Sequence, residues 1–106
     1  MLKKSERLTR ALFEYLRGPG RYFHSAHFSL RTADSTTGLR IGVSVSKKVA
    51  KRANIRNRIR RRAYEAVRGL IPELPKKLFL ISAKAGAEGL KGAALKQELA
   101  ELLKKG

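Results

Sequence analysis

The sequence contains no cysteine and no tryptophan, and only 8 of its 106 residues are acidic. Without cysteine the chain has no disulfide framework, no thiolate zinc site and no cysteine nucleophile. The acids are scattered, and no two of them form a motif that gathers ligands for a hard cation. The two histidines, His24 and His27, have no pairing acid nearby in sequence, so a surface or strand-face position is predicted rather than a general base. We expect neither catalytic residues nor a metal site in the chain.

Long apolar runs and glycine-rich phosphate loops are also missing. No run approaches the roughly 20 residues that span a bilayer, and the first residues lack the apolar segment and cleavage site of a signal peptide. We therefore expect a cytoplasmic protein with no membrane partner and no small-molecule substrate. At this length the chain is predicted to form one domain, residues 1–106, around a modest single core.

Positive charge is what the sequence has in excess. The chain carries 25 Lys and Arg residues and a formal net charge of +17. Such a charge opposes compaction through self-repulsion and is typical of proteins that bind nucleic acid or an anionic surface. The density is highest over residues 51–62, where seven of the twelve residues are Lys or Arg and none is acidic.

The basic segment also has the period of an amphipathic helix. An apolar stripe recurs at steps of four, at Ile55, Ile59, Ala63 and Val67. These positions fall within one arc of roughly 120° on a helical wheel. We therefore predict a helix over about 53–70 that buries the stripe and presents a cationic ridge on its other side. The residues on that far side are Asn54, Asn57, Arg58, Arg60, Arg61 and Arg68.

The remaining elements are predicted from hydrophobic period and turn residues. A helix over 5–17 precedes two alternating segments, 26–32 and 39–46, which we expect to pair as an antiparallel hairpin. A strand over 78–84 is apolar on both faces, as expected of an interior strand, and a helix over 93–104 ends the pattern. The order α-β-β-α-β-α predicts a two-layer α+β fold with a small, mostly antiparallel sheet and three helices.

The second alternating strand and the basic helix carry a resemblance to a known family. Residues 39–48, LRIGVSVSKK, are followed by Arg-Asn-Arg-Ile-Arg-Arg at 56–61. This combination closely resembles the protein component of bacterial ribonuclease P, in which a strand ending in a Ser-Lys-Lys-like run precedes a helix with an Arg-Asn-Arg signature. The resemblance extends over nearly the whole chain, with Phe13 matching the family's opening helix and Phe28 its first strand.

The resemblance implies the role of an accessory subunit in an endoribonuclease. In bacterial ribonuclease P, an RNA subunit with bound Mg²⁺ removes the 5′ leader from precursor tRNA, and the small basic protein binds that RNA and contacts the leader. It implies one protein monomer within the holoenzyme, with Mg²⁺ held mainly by the RNA and none bound tightly by the protein. It also implies a left-handed crossover around the basic helix and allows one extra short strand.

The residues that the resemblance assigns to binding fall into two groups. Matched by position, the RNA subunit would contact Lys47, Lys48, Arg52, Arg56, Asn57, Arg58, Arg60 and Arg61. Arginine suits this role because its planar guanidinium pairs with phosphate through two parallel hydrogen bonds. The leader cleft would be lined by Phe13, Arg17, Phe28 and Arg31. Arg17 and Arg31 stand where the family has aromatic residues, so a more electrostatic cleft is expected.

The residues by themselves leave two other functions open. A structural RNA-binding protein of the ribosomal type would use the same ridge only to clamp RNA. A DNA-binding protein would instead place the basic helix in a major groove. Purification as an rRNA-bound particle would indicate the first, and competition by duplex DNA against structured RNA at equal salt would indicate the second.

Overall fold

The computed structural model describes residues 21–35 and 38–105. The predicted helix over 5–17, with Phe13 and Arg17, lies outside these residues. The strands are β1 Arg21–His24, β2 Phe28–Asp34, β3 Arg40–Ser44 and β4 Lys77–Ala83. The described α-helices are α1 Ala53–Arg68 and α2 Gly92–Lys105, and short 3-10 turns cover Ile71–Glu73 and Ala87–Gly89. No helix in this part of the chain is long and apolar enough to cross a bilayer.

The four strands form one mixed sheet in the order β1-β2-β4-β3. β1 pairs with β2, and β2 with β4, in antiparallel fashion, whereas β3 pairs with β4 in parallel. The predicted hairpin between the segments 26–32 and 39–46 is therefore wrong, because β4 lies between them. A strand that is apolar on both faces is stabilised most in the interior of a sheet, where neighbours cover its edges and packed layers cover its faces.

The first strand and the crossover follow the family pattern in outline. β1 is the extra short strand that the resemblance allowed, and its sequence, Arg-Tyr-Phe-His, is too short to give a clear alternation of its own. β3, α1 and β4 form a β-α-β unit whose two strands are neighbours and parallel. The left hand of this crossover stays a prediction.

Both described α-helices pack against one face of the sheet. The sheet contributes Phe28, Leu30, Ile41, Val43, Phe79 and Ile81 to the core. α1 contributes the predicted stripe, with Ile59, Ala63 and Val67 buried and Ile55 partly buried. α2 contributes Leu95, Leu99, Leu102 and Leu103. Burying a large apolar side chain stabilises the fold by roughly 1.5–3 kcal/mol, so packing of this stripe, rather than local propensity, holds the arginine-rich α1 in place.

The sheet face opposite the helices is called here the outer face. Its positions alternate with those of the core and include Tyr22, His24, Ser29, Arg31, Leu78, Leu80 and Ser82. Leu78 and Leu80 are only 2% and 5% exposed, although they lie on the face that the two described helices do not cover. The prediction that residues 78–84 form an interior strand is thereby confirmed.

A hydrogen bond fixes α1 to the edge of the sheet. β3 is the last strand in the sheet order, and the backbone N–H of Val43 donates to the hydroxyl of Tyr64 in α1 over 3.1 Å. Tyr64 is half-buried, so its ring packs while its hydroxyl satisfies a backbone donor. The exposed side of α1 is therefore oriented by both the apolar stripe and this polar contact.

Candidate RNA-binding surface

The exposed side of α1 and the turn before it carry the residues predicted to contact the RNA subunit. Apart from Arg56, we call these residues the cationic ridge from here on: Lys47, Lys48, Arg52, Asn57, Arg58, Arg60 and Arg61. Lys47 and Lys48 lie in the turn before the helix, and both are exposed. Arg58 and Arg61 are also exposed, and the side chain of neither makes a hydrogen bond or ion pair with any residue of the described part. Their guanidinium groups are therefore not neutralised by the fold and can bind an external anion.

The N-terminus of α1 adds to the positive field. Arg52 occupies the N-cap position without a side-chain cap, and the first turn contains no acidic residue. The first N–H groups of a helix form the positive end of its dipole, so cations placed there are unfavourable in the absence of an anion. The start of α1 therefore lacks both the side-chain cap and the acidic residue that usually stabilise a helix N-terminus. Its free N–H groups favour the binding of a phosphate there.

Arg56 has a different role from its neighbours in the basic segment. Its Nη1 donates to the carbonyl oxygen of Ala50 over 3.0 Å and to that of Lys51 over 2.7 Å. The side chain is therefore folded back toward the loop that leads into α1. Arg56 supports the shape of the ridge, and its predicted direct contact with RNA stays a prediction.

Asn57 and Arg60 form a pair on the helix surface. The side-chain oxygen of Asn57 accepts a hydrogen bond from Nη2 of Arg60, three residues further along the helix. Side chains at this spacing lie next to each other on a helix and stabilise it modestly. The pair also holds Arg60 in one orientation, while the side-chain NH₂ of Asn57 has no partner in the described part of the chain and stays available as a donor.

The predicted leader-cleft residues are separated by the structure. Phe28 is 1% exposed and packs in the core beneath the helices, whereas Arg31 lies on the outer face. Successive side chains of a strand point to opposite faces, so residues three positions apart cannot line the same surface. As a correction to the predicted cleft, Phe28 has no surface to offer a ligand.

Tyr22 joins Arg31 on the outer face, and sequence reasoning missed it. The two residues are direct cross-strand partners, and the guanidinium carbon of Arg31 lies 4.8 Å from the centroid of the Tyr22 ring, within cation–π range. Tyr22 is 48% exposed, and its hydroxyl donates to the Ser29 hydroxyl over 3.4 Å. The His24 ring lies 4.5 Å from the Tyr22 ring between centroids. We call Tyr22, His24 and Arg31 the outer-face cluster.

A polar network connects the β1–β2 turn to α2. Glu98 Oε2 accepts hydrogen bonds from the Ser25 hydroxyl over 2.6 Å and from the backbone N–H of His27 over 2.8 Å. Glu98 Oε1 lies 2.7 Å from His27 Nδ1. Burial acts to raise the pKa of Glu98, but the hydrogen bonds from Ser25 and His27 and the attraction of His27 outweigh it, so the pKa lies below its usual value. The network stabilises the turn.

The cationic ridge and the outer-face cluster lie on different elements of one small fold. No group of three or more His, Asp or Glu residues converges as a metal site within residues 21–35 and 38–105. Among the described residues, the observed chemistry is thus concentrated in the exposed cations Arg58 and Arg61 on a packed helix and in an exposed aromatic ring beside an arginine. These features define a small α+β protein of the nucleic-acid-binding class.

Comparison with known proteins identifies the family. The sequence pattern of the family Ribonuclease P matches residues 2–106. The ribonuclease P protein component of Synechococcus sp. (strain RCC307) is 33% identical over 110 residues, which cover 91% of this chain and 87% of that protein. The match to the component of Microcystis aeruginosa is 36% identical and shorter, covering 58% of this chain and 56% of that protein.

The fold comparison agrees with the sequence comparison. The RNase P protein of Staphylococcus aureus superposes with a TM-score of 0.84 at 25% identity, covering 96% of this chain and 95% of that protein. The chain therefore belongs to the ribonuclease P protein family, the protein components of a ribonucleoprotein endoribonuclease. The resemblance seen in residues 39–48 and 56–61 is confirmed.

Proposed function

We propose that the chain binds the RNA subunit of ribonuclease P through its cationic ridge and contacts the 5′ leader of precursor tRNA with its outer sheet face. In this role it assists the Mg²⁺-dependent removal of the leader, as a monomer within a cytoplasmic holoenzyme. The observation that carries the proposal is the exposure of Arg58 and Arg61, without partners in the described part of the chain, on a helix whose other side is buried.

The ridge suits a folded RNA because its charges are fixed in space. Ile59, Ala63 and Val67 hold α1 against the sheet, so the spacing between its arginines is set before RNA binds. Each guanidinium can pair with a phosphate through two parallel hydrogen bonds. Neutralising a phosphate releases bound counterions, and each contact adds roughly 0.7–0.9 to the slope of log affinity against log salt. The ridge therefore contributes affinity together with recognition of the backbone shape.

The outer-face cluster suits an unpaired leader. The Tyr22 ring is 48% exposed and the Arg31 guanidinium lies over it, so a nucleobase can stack on the part of the ring that stays open while the guanidinium attracts the adjoining phosphate. Stacking of a base on an aromatic side chain contributes about 1–3 kcal/mol and tolerates any base. Such a contact would bind a leader nucleotide without selecting its base. Tyr22 also supplies an aromatic ring next to Arg31, which stands where the family has an aromatic residue.

The proposal assigns no bond-breaking step to the chain. Since the described carboxylates and imidazoles do not cluster in threes, phosphate oxygens of the RNA are proposed to hold the Mg²⁺ ions. What the chain contributes is positive charge, which offsets the repulsion between the phosphates of the RNA subunit and those of precursor tRNA. The increase in cleavage rate that the chain gives should be largest at low Mg²⁺, where few metal ions are present to offset the repulsion between the phosphates.

Reconstitution with a bacterial ribonuclease P RNA tests the proposal. The chain alone should not cleave precursor tRNA at physiological salt, and its addition to the RNA should raise turnover at low Mg²⁺. Absence of stimulation would contradict the proposed function, and copurification with rRNA instead would indicate a structural RNA-binding protein.

A variant of the ridge separates binding from folding. Arg58→Ala with Arg61→Ala should weaken binding to the RNA subunit and flatten its salt dependence, while the circular dichroism spectrum stays that of the parent. Lys104→Ala with Lys105→Ala removes the same charge from the end of α2 and serves as the matched control. Equal losses in the two variants would show that net charge, rather than the ridge, governs binding.

A further inference from the structure

A groove runs between α1 and residues 86–96, which comprise the segment before α2 and the first turn of α2. Its first part has a volume of about 580 Å³ and is lined by residues that include Val49, Arg58, Arg62, Glu88 and Lys91. Its second part has a volume of about 430 Å³ and is lined by residues that include Arg61, Arg62, Ala66, Lys91, Leu95 and Lys96. Arg62 and Lys91 line both parts, so the two cavities adjoin each other, and we call them together the helix groove.

The helix groove is positively charged. Five cations line it, Arg58, Arg61, Arg62, Lys91 and Lys96, against two acids, Glu65 and Glu88. Glu65 also lies 3.7 Å from Arg68, which shares its charge. Lys91 and Lys96 are exposed. The net charge of the lining therefore favours an anionic ligand.

Arg62, at the centre of the groove, is held in position before any ligand binds. Its Nη1 donates to the backbone carbonyl oxygen of Glu88 over 3.0 Å, and this hydrogen bond connects α1 to the opposite wall. The Arg62 guanidinium thus connects the two walls of the groove and also lines both cavities. A cation that is already ordered loses less side-chain entropy on binding a phosphate.

The opposite wall is fixed by a glycine turn. Gly86 has a φ of +93°, a conformation in which a residue with a side chain is strained. Backbone hydrogen bonds hold the chain on both sides of it, from the Lys84 N–H to the His27 carbonyl over 2.8 Å and from the Ala87 N–H to the Lys84 carbonyl over 3.1 Å. The shape of the groove is therefore built into the fold.

The lining of the second part of the groove combines cations with an apolar floor. Leu95 is 4% exposed and Ala66 is partly buried, and both face the space between the helices. Volumes of this size fall in the range of ligand pockets, about 300–1,000 Å³. A cationic rim with an apolar floor suits a nucleotide whose base is free to leave the stack, because arginine planes and apolar side chains can cover the base while the rim binds the phosphate.

We propose that the helix groove binds an unpaired RNA segment, with its phosphates on Arg62, Lys91 and Lys96 and a base over the apolar floor at Ala66. A double helix keeps its bases inside and cannot place one on the apolar floor, so it is expected to bind elsewhere on the cationic surface rather than in the groove. The groove extends the RNA-binding surface from the ridge around the flank of α1. The proposal rests on the proposed function only for the source of the RNA, namely the RNA subunit of ribonuclease P.

A pair of substitutions in the groove tests the proposal. Lys91→Ala with Lys96→Ala should weaken binding to the RNA subunit and to an unpaired oligouridine by about tenfold, the effect of two exposed ion pairs. The slope of log affinity against log salt should fall by about 1.4 for the oligouridine, since each phosphate contact on a single strand contributes roughly 0.7. Binding of an RNA duplex of equal length should change much less. Lys76→Ala with Lys104→Ala, at exposed positions outside the groove, is the charge-matched control.

A cleavage probe placed in the groove gives an independent readout. The chain has no cysteine, so a Lys91→Cys variant can carry an iron chelate that cuts nearby RNA. Cuts concentrated in an unpaired segment of the RNA subunit would support the proposal, and Lys76→Cys should give a different pattern. Cuts within a double helix, or equal affinity losses in the groove and control pairs, would overturn it. If the parent chain bound oligouridine through Lys91 and Lys96 but did not bind the RNA subunit, the proposed function would be contradicted, whereas the proposal that the groove binds unpaired RNA would be supported.

Discussion

Arg56 and Lys51 are joined by a hydrogen bond of 2.7 Å from the guanidinium Nη1 to the backbone carbonyl oxygen of Lys51. The same nitrogen reaches the carbonyl oxygen of Ala50 at 3.0 Å. The loop between β3 and α1 is thereby held against the helix, and with it the turn that carries Lys47 and Lys48. Neighbouring arginines of one basic segment thus have different roles, since Arg56 shapes the surface and Arg58 remains available to bind.

Replacing Arg56 should destabilise the fold, whereas replacing Arg58 should not. Arg56→Ala removes the charged donor that two backbone carbonyls share. Because a hydrogen bond to a charged group contributes at most about 1.5–3 kcal/mol, we expect the unfolding free energy to fall by roughly 1–3 kcal/mol. Arg58→Ala should change that free energy by less than about 0.5 kcal/mol. Urea unfolding followed by circular dichroism measures both. Equal stabilities of the two variants would show that the Arg56 contacts do not support the loop.

The basic helix could be predicted from the sequence because its signals are local. The apolar stripe at Ile59, Ala63 and Val67 and the arginines between them specify which side is buried, and the structure confirms that side. The ends of the helix were also predicted to within two residues, since the predicted range is 53–70 and the observed helix is Ala53–Arg68. The contacts of Arg56 and Arg62 were not predictable, because their acceptors are backbone carbonyls of other segments.

The strand order could not be predicted because it depends on contacts between distant segments. Local alternation identified both β2 and β3, and the turn residues between them suggested a hairpin, but β4 pairs with both. Glu98 is likewise 71 residues from His27, so no acid near His27 in sequence could reveal the contact. Tyr22 was missed because its partner Arg31 becomes apparent only in the register of β1 with β2.

Tyr64→Phe should weaken the attachment of α1 to the sheet. The substitution keeps the ring and removes the hydroxyl that accepts the Val43 N–H at 3.1 Å. Leaving a partly buried backbone donor without a partner costs about 1–3 kcal/mol, and the same range is expected for the drop in unfolding free energy. Hydrogen exchange of the Val43 amide should rise in parallel. If its exchange rate and the midpoint of urea unfolding both stayed at parent values, the contact would have no role in stability.

Glu98→Gln should reduce stability at neutral pH and flatten its dependence on pH in acid. Since the folded pKa of Glu98 lies below the unfolded value of about 4.5, its carboxylate stabilises the fold above that value and the contribution is lost as pH falls through the folded pKa. The parent protein should therefore lose stability below about pH 4.5, and part of that slope should be missing in the variant. At pH 7 the variant should be less stable by roughly 1–3 kcal/mol.

The test of Glu98 is a series of urea titrations from pH 7 to pH 3. Glu73→Gln, at an exposed position in the turn after α1, is the matched control and should change stability at pH 7 by no more than about 0.5 kcal/mol. A parallel pH profile for Glu98→Gln and the parent would rule out the carboxylate of Glu98 as a source of acid sensitivity.

Tyr22→Ala should impair recognition of the leader without impairing assembly with the RNA subunit. The exposed Tyr22 ring beside Arg31 is proposed to stack on one leader nucleotide, so its removal should weaken binding of precursor tRNA to the reconstituted holoenzyme by about 1–3 kcal/mol. Tyr22→Phe keeps the ring, loses only the long hydrogen bond to Ser29, and should bind nearly as the parent does. Affinities for precursor tRNA and for mature tRNA, measured side by side, separate leader binding from binding of the tRNA body. The stacking role would be excluded if Tyr22→Ala weakened both RNAs equally, because mature tRNA has no leader for the ring to contact.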